Sequence, residues 1–280
     1  IYHLAGAHLW QLNLKEVHSP EASARAVTDT AKGNPVEFNR APSGHLFPPQ
    51  SSPTYSPETR ILYFGTGYGW VWAYHTVEGW FQPAELDTGC PIVGSPLVIH
   101  DRGRDIVVVA DRPNYPKERN QQDSRPLCPR TEHGKVWVVQ GLDDPNRGPR
   151  SQAYDAPNTK RVEEGFGGFI TPSAVLAPPH GENPSFVIGA DGFEGGRAIR
   201  LALDRENDYH PYPVWTVDGP AGFAGNFTSD GINAYWLDTN GRLWAANLWQ
   251  GRKLAGWPGY SINLPALIGA KAAFTNTEPA

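Results

Sequence analysis

The sequence predicts an all-β fold assembled from repeated four-stranded antiparallel units, and three observations predict it. Gly (30) and Pro (27) together make about a fifth of the 280 residues, a mixture that helices tolerate poorly. Ten Trp, 11 Tyr and 11 Phe supply ample area for a core, which separates the chain from Gly- and Pro-rich disordered sequences. A motif of Gly, two residues and a large aromatic then recurs. Full copies are Gly69-Trp70-Val71-Trp72, Gly134-Lys135-Val136-Trp137 and Gly241-Arg242-Leu243-Trp244. Ala7-His8-Leu9-Trp10 keeps the Trp without the Gly, and Gly196-Arg197-Ala198-Ile199 keeps the Gly with Ile in place of Trp. The anchors Trp10, Trp72, Trp137, Ile199 and Trp244 are 62, 65, 62 and 45 residues apart.

The elements of each unit follow in order. Before the anchors stand apolar runs of β-branched and aromatic residues, Ile61 to Phe64, Ile106 to Ala110, Phe186 to Ala190 and Ala234 to Leu237, each predicted to be a second strand. Ahead of these come Ser52-Pro53, Ser95-Pro96-Leu97-Val98-Ile99, Thr171-Pro172-Ser173-Ala174-Val175 and Phe227-Thr228-Ser229, predicted to open the first strands. Three strands joined by Gly-rich turns, with a more variable fourth, make the blade of a β-propeller.

The Gly-x-Val-aromatic-Ala pattern, with a further Gly ten positions on (Gly79 after Gly69, Gly251 after Gly241), resembles the repeat of pyrroloquinoline-quinone-type propellers. In that family a Trp near the end of each unit docks onto the neighbouring blade. Trp80, Trp215 and Trp257 are the candidates, but their offsets differ, so docking is expected to depart from the family pattern. The resemblance implies the fold and not the activity: a quinone-dependent oxidoreductase of this kind would carry a vicinal cysteine pair and a calcium-binding carboxylate set, and this chain has no Cys-Cys pair.

Five anchors predict five blades in one domain over residues 1–280. The path from Trp244 through Ala280 to Trp10 is 46 residues, close to the last interval, which is the spacing expected if N- and C-terminal strands complete one blade together. Leu264 to Ile268 and Ala272 to Thr275 would then be the two strands ahead of Trp10. The competing expectations are that Ile1 to Leu4 is already the second strand, or that the chain is part of a larger ring.

The turns between second and third strands open on the same face as the connections into the next blade, and loops on such a face are where ligands are expected. Segment 111–133 departs most from the repeat, with Arg112, Lys117, Glu118, Arg119, Asp123, Arg125 and Arg130, and is either a recognition loop or a solvated insertion. Candidates for a ligand- or partner-binding face are Tyr68, Arg125, Arg130, His133, Phe166, Phe169, Phe193 and Asn240. Cys90 and Cys128 fall at one end of one blade and are expected to form a disulfide, worth about 3 to 4 kcal/mol in an entropy model. Asn226-Phe227-Thr228 fits a glycosylation acceptor. The Trp anchors are read as packing because they recur in the units.

Chemistry-bearing motifs are sparse. There is no C-x-x-C-H, H-E-x-x-H, P-loop or G-x-S-x-G, and the nine His do not recur at ligand spacing, so no catalytic residue, metal or cofactor is assigned. Asp29, Asp101, Asp191, Glu194, Asp204 and Asp230 offer carboxylates for a glycosidase-type pair, but nothing in their spacing selects two, and turn chemistry accounts for Asp at such places. A net charge of -5 gives no reason to bind nucleic acid, and apolar runs such as Ile106 to Ala110 and Leu264 to Ala270 are far short of the roughly 18 to 20 residues that span a bilayer. The start at Ile1 and the absence of Met are read as a processed or truncated product. The expectation is a noncatalytic extracellular or periplasmic propeller that binds a protein partner or self-associates. Alternatives are a carbohydrate-binding or carbohydrate-active propeller and, behind it, a quinone-dependent oxidoreductase.

Overall fold

The protein is represented by a computed structural model that describes residues 2–5, 8–12, 24–26, 51–66, 69–86, 92–111, 134–155, 169–170, 174–192, 195–219, 222–223, 226–255 and 259–263. The described residues form antiparallel sheets, with one single-turn 3-10 helix at Arg205–Asn207. The chain divides into two compact units, Ile1–Arg130 with Trp137–Ser151, and Thr131–Val136 with Gln152–Ala280.

The first unit opens with β1 (Tyr2–Ala5), β2 (His8–Leu12) and β3 (Ala24–Ala26) in the order β1-β2-β3, with His3 opposite Trp10. The segment at the start of the chain is therefore the strand beside the Trp10 strand, as in the second of the three expectations above. A strand joined through a two-residue connection reaches that position far more readily than one from the distant tail. This corrects the expectation that the tail supplies the strand next to Trp10; the other expected tail strand falls within residues 264–280, outside the described residues.

Next come β4 (Thr54–Ser56), β5 (Ile61–Gly65), β6 (Trp70–His75) and β7 (Phe81–Glu85), a four-stranded meander in that order. It is followed by β8 (Ile92–Asp101), β9 (Arg104–Asp111), β10 (Lys135–Gln140) and β11 (Arg150–Asp155), again four strands in order. Strands β5 and β9 are buried along nearly their whole length, as their unbroken apolar runs require of strands covered on both faces.

The second unit contains β12 (Phe169–Ile170), β13 (Val175–His180), β14 (Asn183–Gly192), β15 (Gly195–Asp204) and β16 (His210–Asp218), with both β12 and β13 paired to β14. The last sheet is β17 (Thr228–Ser229), β18 (Asn233–Leu237), β19 (Arg242–Asn247) and β20 (Ser261–Asn263). Consecutive four-stranded meanders of this kind are the blades of a multi-blade β-propeller, and in all four the motif anchor lies on the third strand.

Proline placement agrees with this layering. Pro83, Pro96, Pro178, Pro179, Pro211 and Pro213 all sit on first or fourth strands, where a missing N–H costs least. The register of β8 against β9 shifts between Val93 and Leu97, around Pro96, and that of β13 against β14 between Ala177 and His180, around Pro178 and Pro179. Pro184 is the one proline within a central strand among the described residues, at the second position of β14 beside that irregularity.

In the second unit, Val187, Ala198, Val217, Phe227, Ala234, Trp236, Trp244, Ala246 and Leu248 form one buried cluster. Trp236 and Trp244 stack at 6.1 Å and 14°, and Phe227 lies 5.2 Å from Trp236. Burying each large side chain is worth about 1.5 to 3 kcal/mol, so a third-strand Trp is first a packing residue.

Two junctions between successive sheets follow one plan. In the second unit, Trp215 of β16 faces Arg200, one residue past the anchor Ile199, and its indole donates to the Leu248 carbonyl at 3.2 Å. In the first, Gln82 of β7 faces Ala73, one past the anchor Trp72, and its amide donates to the carbonyls of Gly141 at 3.1 Å and Arg147 at 2.7 Å. Leu248 and Gly141 each stand four residues past their own anchor. Trp80 is not a docking residue: it stacks on His75 within its own turn and donates its indole N–H to Glu78 at 2.8 Å.

Candidate functional site

Of the residues expected to form a binding face, Tyr68, Arg125, Arg130, His133, Phe166 and Phe193 lie outside the described residues, as do Cys90 and Cys128. Phe169 lies on β12 opposite Asp191, and Asn226 is exposed just before β17. Asn240 is exposed in the turn between β18 and β19.

That turn is built around a buried carboxylate. Asp238, 2% exposed, accepts the backbone N–H groups of Asn240 at 2.9 Å and Arg242 at 2.8 Å on Oδ1, and the Trp244 indole N–H at 2.8 Å on Oδ2. Asp111 at the end of β9 receives the Trp137 indole N–H at 2.8 Å in the same way. A carboxylate closing the second strand therefore fastens the third-strand Trp. Its acceptor capacity is spent on the fold.

The other carboxylates serve turns. Asp204 caps the 3-10 turn by accepting the Glu206 N–H at 3.1 Å. Asp230 accepts from the N–H groups of Asn233 at 2.7 Å and Ile232 at 2.9 Å and from the Tyr235 hydroxyl at 2.8 Å. These bonds hold its carboxyl far below the usual carboxylate range, the Asn233 N–H contributing most, and the bond to Asp230 raises the Tyr235 phenol.

The densest titratable cluster lies in the first unit. Buried Asp105 accepts on Oδ2 from the Thr59 hydroxyl and, at 2.9 Å, the Tyr63 hydroxyl, and its Oδ1 lies 2.9 Å from Nδ1 of His100. Its own N–H donates to Asp143 at 2.9 Å. Burial, and then the neighbouring carboxylate, push the Tyr63 phenol well above its ordinary value. Donors from β5 and its preceding turn thus meet a carboxylate on β9, which ties two sheets together. His75 is likewise engaged, its Nδ1 accepting the Glu78 N–H at 2.9 Å.

The opposite end of the last blade exposes apolar side chains. Asn247 begins a tight turn: its Oδ1 accepts the N–H groups of Trp249 at 2.9 Å and Gln250 at 3.2 Å, and its own N–H donates to the Arg252 carbonyl at 2.9 Å. Leu248 N–H donates to Ile232 at 2.8 Å, joining this turn to the β17–β18 turn. At the tip, Trp249 is 55% and Ile232 60% exposed.

Arg200 anchors the tip from behind. Its guanidinium, 1% exposed, donates to the Trp249 carbonyl at 2.8 Å, the Pro178 carbonyl and the Ser185 hydroxyl, and burial lowers its pKa. Gly251, at φ 65°, sits against Trp215, where an added Cβ would fall 2.8 Å from the indole. The tip is therefore an exposed aromatic and aliphatic pair on rigid backbone. The expected binding face lies at the other end of the blades, and the one signal of this tip in the sequence is the Gly ten positions after Gly241, which marks its turn.

No protein-family model and no curated protein matches the chain. Similar solved structures include BamB from Moraxella catarrhalis (12% identity, 90% of this chain and 66% of that one, TM-score 0.44). The computationally designed Ika8 protein matches at 13% identity over 93% of this chain and 62% of that one, with a TM-score of 0.43. The Dos1 propeller matches at 11% identity over 76% and 59%, with a TM-score of 0.37. The chain spans about two thirds or less of the length of each of these structures.

Proposed function

We propose that the chain is a noncatalytic propeller module of five blades, of the pyrroloquinoline-quinone-like repeat type, that binds another protein chain or a second copy of itself outside the cytoplasm. The observation that carries the reading is the exposed pair Trp249 and Ile232 at the end of one blade, fixed by Asn247 and Arg200. An exposed aromatic on a hydrogen-bonded turn is the kind of side chain that dominates interfaces, because its large area is available and little backbone freedom is left to lose on binding. The carboxylates Asp111, Asp204, Asp230 and Asp238 support a noncatalytic role, since each is engaged in a turn or on an anchor Trp.

An extracytoplasmic address accords with the exposure of Asn226 in its acceptor triplet and with the expected Cys90–Cys128 bridge. Light scattering and negative-stain microscopy of the purified chain beside an I232S/W249S double variant, with glycan-array product analysis, test the reading. The expected result is no sugar product, and fixed oligomers or a partner complex that the double variant weakens. Turnover of a glycan overturns the noncatalytic reading, and oligomers or complexes indifferent to the double variant overturn the assignment of this surface.

A further inference from the structure

The exposed tip of the last blade carries charge as well as apolar area. In the β6–β7 hairpin the chain enters the fourth strand directly after its turn: His75 N–H donates to Trp80 at 3.0 Å, and Phe81 already pairs with Tyr74. In the last blade the corresponding turn closes at Arg252, Lys253 to Ala255 are not in a strand, and the next described bond to the sheet is at Tyr260, whose carbonyl accepts the Ala245 N–H at 2.9 Å. Arg252 and Lys253 stand exposed, and no ion pair holds either one among the described residues.

The two blades present different side chains from equivalent places. The bond from Thr76 N–H to the Arg60 carbonyl at 2.9 Å corresponds to that from Leu248 N–H to Ile232. Arg60 and Val77 therefore occupy the positions of Ile232 and Trp249. In one blade the tip mixes Arg60, Val77 and Glu78. In the other it joins Ile232 and Trp249 to Arg252 and Lys253, whose two positive charges outnumber the one negative charge of Asp230, a carboxylate that accepts four hydrogen bonds. This tip is apolar and net cationic on a chain of net charge -5.

We infer that this tip docks an extended segment of a foreign protein in which an apolar or aromatic residue is flanked by Asp or Glu. The inference rests on the binding reading above and narrows it to a partner class. The apolar residue covers Trp249 and Ile232, and the flanking carboxylates meet Arg252 and Lys253, whose complementarity sets specificity and encounter rate. Among the described residues neither cation has an ion pair to abandon.

Fluorescence anisotropy with short labelled peptides tests this, using apolar or aromatic centres flanked by Asp and Glu and the same centres flanked by Lys. The acidic probes are expected to bind more tightly than the Lys probes, to weaken with added salt, and to lose about tenfold or more on R252E/K253E, with near-ultraviolet circular dichroism unchanged. I232S/W249S is expected to abolish binding. Equal binding of acidic and Lys probes, or indifference to R252E/K253E, overturns the acidic class while leaving the apolar docking surface in place. Probe binding that survives I232S/W249S, or no binding by any probe, overturns the surface. Dimers in light scattering that dissociate on I232S/W249S and are not displaced by acidic probes identify a second copy as the occupant and overturn the foreign segment.

Discussion

The junction between the β4–β7 and β8–β11 sheets and the junction between the β12–β16 and β17–β20 sheets occupy the same register positions with different chemistry. In both, the fourth-strand residue facing the position after the anchor donates a side-chain N–H to the carbonyl four residues past the next anchor. One junction uses Gln82, an amide that also reaches Arg147; the other uses Trp215, whose ring lies against Gly251. Each adds a buried polar tie, Asp105 with Thr59, Tyr63 and His100 in the first case and Arg200 with Trp249 in the second. A blade junction thus needs a donor at a set place, and the rest of its surface is free to be polar or aromatic.

The largest expected effect comes from closing the space that Trp215 occupies. Gly251→Val puts a branched side chain where a Cβ already falls 2.8 Å from the indole and the backbone is left-handed, and is expected to cost about 3 kcal/mol or more in chemical denaturation. At the other junction, Gly141→Val at a different position of the turn meets the Gly148 carbonyl at 3.2 Å with φ 75°, and a comparable loss there would show that backbone strain, not the Trp, sets the cost.

Arg200→Met leaves the Trp249 carbonyl without the Arg200 donor, takes one of two donors from the Pro178 carbonyl, which keeps the Ser185 hydroxyl at 2.6 Å, and is expected to destabilise by about 2 kcal/mol, with Arg200→Lys recovering little because one ammonium cannot span the three acceptors. Trp249 quenching by acrylamide is expected to rise in both variants. Gln82→Leu removes one amide donor to two carbonyls and is expected to cost about 1 to 2 kcal/mol, less than Trp215→Leu, which also empties an aromatic contact.

Asp230→Asn sharpens the comparison at the surface, where the effect is smallest. A carboxyl whose folded-state pKa is depressed contributes stability that is fully present above its unfolded value, near 3.9, and is lost as pH falls through the folded value. Denaturation profiles of parent and variant are therefore expected to converge on acidification below pH about 4 and to separate above it. A constant gap at all pH values would show that the Asn233 and Ile232 N–H bonds act independently of the charge.

The anchors Trp72, Trp137 and Trp244 and the runs before them were legible because a third-strand aromatic and a buried second strand are written within a few consecutive residues. The docking donors were not. Trp215 follows its anchor by 16 residues and Gln82 by 10, because the turn after β15 holds an extra 3-10 segment and its register against β16 slips between Arg200 and Leu201. Constant spatial position became variable sequence spacing, and a search for one recurring Trp could not find a Gln. The candidate face fared similarly: most of its residues fall on connections outside the described segments, whereas the Trp249 tip stands at the other end of a blade.

Composition, the Gly-aromatic repeat and proline at the sheet edges are local features, so the chain alone settles an all-β succession of meanders and the strand on which each anchor sits. Which side chain closes a junction, that Asp111 and Asp238 hold indole N–H groups, and that Trp249 remains exposed while Trp244 is buried were decided by tertiary structure. These depend on register between strands and on what the next sheet brings against them, over separations from 6 residues for Asp238 and Trp244 to 59 for Gln82 and Gly141, and no single spacing encodes them.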